Sequence, residues 1–236
     1  MAIIAVDPGH GMNTPGKRTP KPVPKYGRVV KEYEFNKPAA LELKKELERH
    51  GHKVVWTGGD NDPSLSSRCK KANDAKADLF ISIHYNAGGG HGVETYIVAR
   101  GGNAEKLAKK VQPELVKHRN QRDRGVKVAN FQVLRDTKMP AILCECGFMD
   151  DPRGIEQSWM LDKDFHKSVA VAICKGVQAF YGKPYKAESK SDPAPKPDNL
   201  IRVRVNGKQV GAFAELKNAV GMVEKHLKAG MTIDIK

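Results

Sequence analysis

The chain has 236 residues, of which 39% are hydrophobic and 29% charged, and its formal net charge is +14 at pH 7. This composition excludes a disordered or membrane-spanning chain, since no apolar run approaches the roughly 18 residues that cross a bilayer. The positive charge favours an anionic partner, which could be nucleic acid, an acidic membrane or an anionic cell-wall polymer. The sequence contains no zinc finger, RNP-like string or aromatic-interleaved basic motif, so we expect no sequence-specific nucleic-acid binding.

The first segment, "MAIIAVDPGHG", predicts a short buried strand that runs into a loop. We expect Gly9 and Gly11 to permit tight backbone geometry and to leave the imidazole of His10 projecting from the loop. The segment has neither a basic region nor an apolar run long enough for a signal peptide, so we expect a cytoplasmic protein in the producing cell.

Helices and strands are then predicted in alternation up to residue 182. Helices are predicted at "FNKPAALELKKELERH", "LSSRCKKANDAKA", "NAEKLAKKVQPELVKH" and "KDFHKSVAVAICKGVQAFYG", and strands at "KVVWT", "DLFISIH", "GVETYIVA", "FQVLRDT" and "PAILCECGF". This rhythm predicts an α/β domain over residues 1–182, with a single mixed or parallel sheet and helices on both faces.

The remaining chain divides into a linker and a small domain. Residues 183–198 are rich in Pro and Lys and lack apolar periodicity, which is typical of an extended linker. Residues 199–236 predict a ββαβ unit with a hairpin at Asn206-Gly207 and a helix over "AELKNAVGMVEKHLKAG". A unit this small is marginal alone, so we expect it to pack on a partner, such as a second copy of itself in a homodimer.

Two histidines leave predicted strand ends, where ligands gather in α/β folds. His10 follows the first strand and His84 ends "DLFISIH". Glu32 and Glu34, before the next helix, are candidates for a third ligand; we choose Glu32 because it shares a helical face with Asn36. Two imidazoles, one carboxylate and an open position form the pattern of a catalytic zinc site.

Glu145 interrupts the otherwise apolar strand "PAILCECGF". A carboxylate there is costly unless it is paired or needed, so Glu145 is either a general base and acid beside the metal or the partner of a buried arginine such as Arg124 or Arg135. Each signal has an ordinary alternative, because a loop histidine is usually solvated and an acid at a helix start is usually a cap.

The four cysteines are expected to be structural thiols. Their number is small, and they form no Cys-x-x-Cys pair. They are Cys69, Cys144, Cys146 and Cys174.

Taken together, these segments resemble the zinc-dependent N-acetylmuramoyl-L-alanine amidases of the Amidase_3 type, peptidoglycan hydrolases found as bacterial autolysins and phage endolysins. The resemblance runs through "IIAVDPGHG", "KEYEFN", "ADLFISIHYNAGGGHGVETY", "RDRGVKVANFQVLRDTKMPAILCECGF" and the closing helix. It implies Zn²⁺ held by His10, Glu32 and His84, catalysis by Glu145, and at most supporting roles for Asn86, Arg124 and Gly92. The implied reaction is hydrolysis of the amide between the lactyl group of N-acetylmuramic acid and L-alanine of the stem peptide.

The resemblance has one departure and two further implications. The stretch "MNTPGKRTPKPVPKYGRVV" is richer in Lys and Pro than the family pattern. The C-terminal unit is similar to a shortened SPOR-type repeat, which implies binding to the wall. A compact catalytic unit without a signal peptide implies a phage endolysin that reaches the wall after holin-type release.

Two rival functions remain open from the sequence. A zinc peptidase cutting within the stem peptide would use similar ligands. A non-catalytic basic protein could bind wall polymer or nucleic acid, with the glycine loop around His10 cradling phosphate.

Overall fold

The computed structural model describes residues 1–188, 201–206, 208–213 and 233–235. The chain divides into two compact units, Met1–Lys186 and Ala187–Lys236. In the first unit the strands are β1 (Ile3–Pro8), β2 (Lys53–Trp56), β3 (Leu79–Asn86), β4 (Val93–Ile97), β5 (Asp123–Val128) and β6 (Ala141–Phe148). The helices are α1 (Tyr33–Arg49), α2 (Leu65–Asp74), α3 (Asn103–Lys117), α4 (Gln132–Arg135) and α5 (Lys163–Phe180), with a 3-10 turn at Glu156–Trp159.

The six strands form one mixed sheet in the order β2-β1-β3-β6-β4-β5. Strands β2, β1, β3 and β6 run parallel to one another, whereas β4 pairs antiparallel with β6 and parallel with β5. The predicted α/β fold with a single mixed sheet is confirmed. The parallel strands end at one edge, which is where their polar residues collect.

Helices cover both faces of this sheet, as the alternation of side chains requires. Ile4, Ile81 and Cys144 belong to the larger buried cluster, which includes residues of α1, α3 and α5. Ala5 and Phe80, their neighbours in sequence, face the smaller cluster with residues of α2 and α4.

One predicted strand is wrong and one strand was not predicted. The segment "FQVLRDT" contains the short helix α4, because a helical turn buries the adjacent residues Val133 and Leu134 on one side, whereas a strand would turn one of them away. The sheet edge is instead β5, in which no residue is fully buried and charged residues interrupt the apolar pattern. Sequence periodicity therefore gave no signal for it.

The first unit extends past residue 182 to Lys186. The reason is Tyr185, whose ring stacks on His50 at 4.8 Å between centroids and whose hydroxyl donates to Glu46 Oε2 at 3.0 Å. Among the described residues, no helix is both long and apolar enough to cross a membrane.

The second unit contains a three-stranded antiparallel sheet in the order β8-β7-β9, formed by β7 (Ile201–Val205), β8 (Lys208–Phe213) and β9 (Ile233–Ile235). Asn206 adopts a φ of 49°, as suits the predicted hairpin turn. The predicted helix over residues 214–230 and the linker from residue 189 lie outside the described residues.

Candidate active site

The loop after β1 brings His10 against His84. His10 itself adopts the left-handed φ of 63°, which is uncommon for a residue with a side chain. Gly9 is needed for a different reason than the one we expected: a Cβ on it would lie 2.1 Å from the His84 ring. The two imidazoles meet edge to face with 4.8 Å between ring centroids.

Glu32 lies between these histidines at the start of α1. Its Oε1 is 3.0 Å from Nδ1 of His84 and its Oε2 is 3.2 Å from Nε2 of His10. Asn36, one turn later, donates to Glu32 Oε1 at 3.2 Å, so the two residues share the predicted helical face. Glu34 points away and pairs with Arg28 at 2.6 Å.

The donor set fits a divalent metal ion. Ligand atoms of His10, Glu32 and His84 all lie within 4.8 Å of one another. Although Nε2 of His10 is close to Glu32, it is buried and has no well-aligned hydrogen bond within the described residues, so it is free to act as a ligand. Two imidazoles with one carboxylate are the donors of catalytic zinc sites.

Electrostatics keep Glu32 ionised, as a ligand must be. Burial alone would raise the pKa of Glu32, but the adjacent His10 and His84 rings outweigh it and hold that pKa well below its ordinary value. The carboxylate is 2% exposed, so its negative charge has little compensation from water.

Glu145 lies beside this group because β3 and β6 pair His84 with Glu145. Its Oε2 is buried without a hydrogen-bond partner among the described residues. Burial raises the pKa of Glu145 to about 8; Glu32 and Glu94 add to this rise, while His84 opposes it. Such a carboxyl group can both accept and return a proton near neutral pH.

Neither arginine considered as a partner of Glu145 contacts it. Arg124 Nε donates to Glu94 at 2.7 Å, and Arg135 bonds Asp136 at 2.9 Å. The unpaired state of Glu145 therefore favours a chemical role over a structural one.

A cavity of about 460 Å³ lies next to the two histidines and Glu145. Its polar lining includes His10, His84 and Glu145, together with the exposed Lys17. Its apolar lining includes Leu65 and Phe131, which are 49% and 39% exposed. The site is thus open to a substrate with both polar and apolar parts.

The three supporting residues have different locations. Asn86 Nδ2 and Arg124 both donate to the buried Glu94, which is paired in register with Glu145 across β4 and β6. Gly92 has a φ of 104° and a Cβ there would lie 2.3 Å from the Arg122 carbonyl oxygen, so its role is in the backbone. It is not among the residues that line the cavity.

Sequence reasoning missed Arg68, which is 1% exposed on α2. Its guanidinium donates to Asp7 Oδ1 at 2.9 Å, to the Pro8 and His10 carbonyl oxygens at 2.7 Å each, and to Asp62 at 3.2 Å. Arg68 thereby ties the His10 loop to α2. A lone arginine on a polar helix resembles a surface residue, so the sequence carried no signal for this contact.

A second group, Glu46, His50 and Cys174, has metal-like spacing but is already satisfied. His50 Nδ1 donates to the Glu46 carbonyl at 2.7 Å, and its Nε2 accepts the Lys186 N–H at 3.0 Å. The group therefore anchors the end of the first unit. All four cysteines are free and buried, in agreement with the prediction of structural thiols.

The fold and the donor set together define the class: an α/β domain with a two-histidine, one-carboxylate site at the sheet edge, as in metal-dependent hydrolases. The family model described as N-acetylmuramoyl-L-alanine amidase, Amidase_3, matches residues 4–179. The chain belongs to this family of peptidoglycan hydrolases.

Relatives and solved structures agree. The amidase LytC of Bacillus subtilis is 35% identical over 187 residues, covering 75% of this chain but 35% of LytC, so the chain spans about a third of that relative. The endolysin of Bacillus phage SPP1 is 32% identical over 185 residues, covering 74% of this chain and 64% of the endolysin. The crystal structure of an N-acetylmuramoyl-L-alanine amidase from Clostridium difficile 630 matches with a TM-score of 0.67 and 32% identity, covering 77% of this chain and 97% of that one.

Proposed function

We propose that this chain hydrolyses the amide between the lactyl group of N-acetylmuramic acid and L-alanine, with a zinc ion held by His10, Glu32 and His84. The observation that carries the proposal is the meeting of these three donors beside Glu145, a carboxyl group with an unpartnered buried oxygen. When bound, zinc would polarise the scissile carbonyl and make a water molecule more acidic.

The residues of the chain divide the remaining work. Glu145 takes the proton of the attacking water and returns it to the departing amine of L-alanine. Burial raises its pKa, which makes the ionised carboxylate a stronger base than an exposed one. Glu32 holds both histidines in place through contacts of 3.0 and 3.2 Å, and the cavity admits the substrate from solvent.

Product analysis tests the proposal. Digestion of purified peptidoglycan should release new L-alanine amino ends together with free muramoyl lactyl carboxylates, and a chelator should stop the release until zinc is restored. New amino ends from other stem-peptide residues would instead identify a peptidase, the main rival. Family membership favours the amidase over that rival and over a non-catalytic basic protein.

The second unit and the route to the wall belong to this proposal as well. We place the 199–236 unit as a wall-binding or dimerisation module and the protein as an endolysin released by a separate pore-forming protein. The likeness to the phage SPP1 endolysin supports this placement. Sedimentation of the full chain alone and with purified walls separates a homodimer from a wall-bound monomer.

A further inference from the structure

The segment of residues 12–31, here called the basic strap, carries six cations and no acidic residue. It follows the His10 loop directly and leads into α1 at Glu32. It also contains four prolines, which restrict the backbone of the unfolded chain and so reduce the cost of ordering it. This is the stretch that departs from the family pattern in its Lys and Pro content.

The basic strap is held against the first unit by its own contacts. Thr19 N–H donates to the Val30 carbonyl and Val23 N–H to the Arg28 carbonyl, each at 2.9 Å. Thr19 and Val23 are 2% and 1% exposed. The hydroxyl of Tyr26 donates to the Ser158 carbonyl at 2.5 Å. The basic strap is therefore a positioned surface, not a loose tail.

Some of the cationic side chains of the basic strap contact acceptors within the protein and others do not. Arg28 pairs with Glu34 at 2.6 Å, and Lys25 donates to the Ser158 carbonyl at 3.2 Å. In contrast, Lys17, Arg18 and Lys21 are exposed and form no ion pair within the described part of the chain. These cations are available to an anionic ligand.

Lys17 is the strap cation that reaches the site. It lines the same cavity as His10 and Glu145, and its backbone carbonyl accepts the N–H of Glu32 at 2.9 Å. Its charge is close enough to act on Glu145, whose pKa it lowers against the stronger effect of burial. An anionic group of a substrate whose amide enters the cavity would therefore lie within reach of Lys17.

We propose that Lys17 binds a carboxylate of the substrate's peptide close to the scissile amide, so that acidic stem peptides are the preferred substrates. Arg18 and Lys21 extend the attraction along the same surface. This inference rests on the proposed function. A carboxylate of the peptide is favoured over a separate phosphodiester polymer because Lys17 shares the cavity with the catalytic group.

The test compares Lys17→Gln with Lys106→Gln, which removes an exposed charge from α3, outside the cavity-lining residues. The substrate is peptidoglycan stripped of phosphodiester polymers, either with free stem-peptide carboxylates or with these carboxylates chemically amidated. Initial rates of L-alanine end formation give kcat/KM for each variant on each substrate. Co-sedimentation measures binding to the same substrates without relying on hydrolysis.

On the free-carboxylate substrate, Lys17→Gln should lower kcat/KM by about threefold to tenfold, the range of one charged contact at a partly solvated site. On the amidated substrate Lys17→Gln and Lys106→Gln should have the same kcat/KM. On the free-carboxylate substrate the loss of kcat/KM in Lys17→Gln should become smaller as the salt concentration is raised. Equal losses on both substrates would overturn the inference, because Lys17 would then act only through Glu145. An effect confined to walls that retain phosphodiester polymers would also overturn it.

The inference and the proposed function fail separately. If the parent protein releases no L-alanine ends, the proposed function fails. Co-sedimentation with free and amidated peptidoglycan still tests the carboxylate contact in that case, because equal binding to both would contradict it.

Discussion

Glu145, a half-buried residue with one fully buried oxygen, differs from the buried carboxylates Asp7 and Glu94 in having no ion-pair partner among the described residues. Asp7 pairs with Arg68 at 2.9 Å, and Glu94 pairs with Arg124 at 2.7 Å. An unpaired buried carboxyl is expensive unless it is protonated or used in chemistry. This contrast between neighbouring acids is the residue-level reason for assigning proton transfer to Glu145.

Replacing Glu145 should separate chemistry from metal binding. Glu145→Gln should reduce the rate of L-alanine end formation by at least about 100-fold, the usual size of a lost general base. Zinc content should stay at the parent level because Glu145 is not among the three donors. His84→Ala should lose both zinc and activity, and substantial activity in either variant would contradict the assignment.

Arg68 should act on the metal through the His10 loop. Arg68→Lys cannot bridge Asp7 and the Pro8 and His10 carbonyls together, so zinc affinity should fall about tenfold or more, as for other residues that orient ligands. Chelator competition measures this affinity.

Thr57→Val provides the matched control. Thr57 donates to the same Asp7 carboxylate at 2.8 Å, and its other hydrogen bonds are to the Val6 carbonyl rather than to the His10 backbone. The Thr57→Val substitution should lower the free energy of unfolding but should not lower the affinity for zinc as Arg68→Lys does. Equal zinc affinities for the Arg68 and Thr57 variants would show that Arg68 only supports the fold.

At the level of elements, helix α5 is surrounded by histidines that are held neutral. Burial lowers the pKa of His118, at the end of α3, to about 4. Burial also lowers the pKa of His166 on α5 and of His52, which contacts Gln178 of α5. Burial therefore favours the uncharged form of each of these rings.

This arrangement predicts acid destabilisation. In the unfolded chain His118 takes up a proton near pH 6.5, whereas in the folded protein it does so only near pH 4. The free energy of unfolding therefore has its full value above pH 6.5 and falls as the pH drops towards 4. For His118 alone the loss at pH 5 is about 2 kcal/mol. Urea unfolding of chelator-treated protein at pH 7.5 and pH 5 measures this fall in the free energy of unfolding. The fall should be smaller for His118→Phe than for the parent protein, and an equal fall in the two proteins would contradict the role of His118.

Strong periodicity made most elements predictable, and weak periodicity explains the errors. Helices α1, α3 and α5 follow clear apolar stripes, whereas β5 is a charged edge strand and the apolar residues of α4 span one turn. Glu145 was visible as an acid within an apolar strand. The role of Arg68 was not, because its acceptors include backbone carbonyls that only the folded chain brings together.

At the level of the whole molecule, the candidate site is assembled from distant parts of the chain. His10 follows β1, Glu32 precedes α1, His84 lies in β3 and Glu145 lies in β6. The unfolded chain cannot present these donors together, so binding of the proposed zinc ion would be coupled to folding.

Zinc should consequently stabilise the fold. At free zinc about 1,000-fold above its Kd the gain is about 4 kcal/mol, which corresponds to a rise in Tm of about 8–16 °C for a unit of this size. Thermal unfolding with zinc and with chelator measures the difference. His84→Ala should show almost none of it, and an equal rise in that variant would indicate zinc binding elsewhere.

The central claim is that His10, Glu32 and His84 form one metal site, and equilibrium dialysis of metal-free protein against zinc tests it most directly. We predict one tightly bound ion per chain for the parent and almost none for Glu32→Gln. Parent protein that binds no zinc, or a Glu32→Gln variant that binds it as tightly as the parent, would contradict the account.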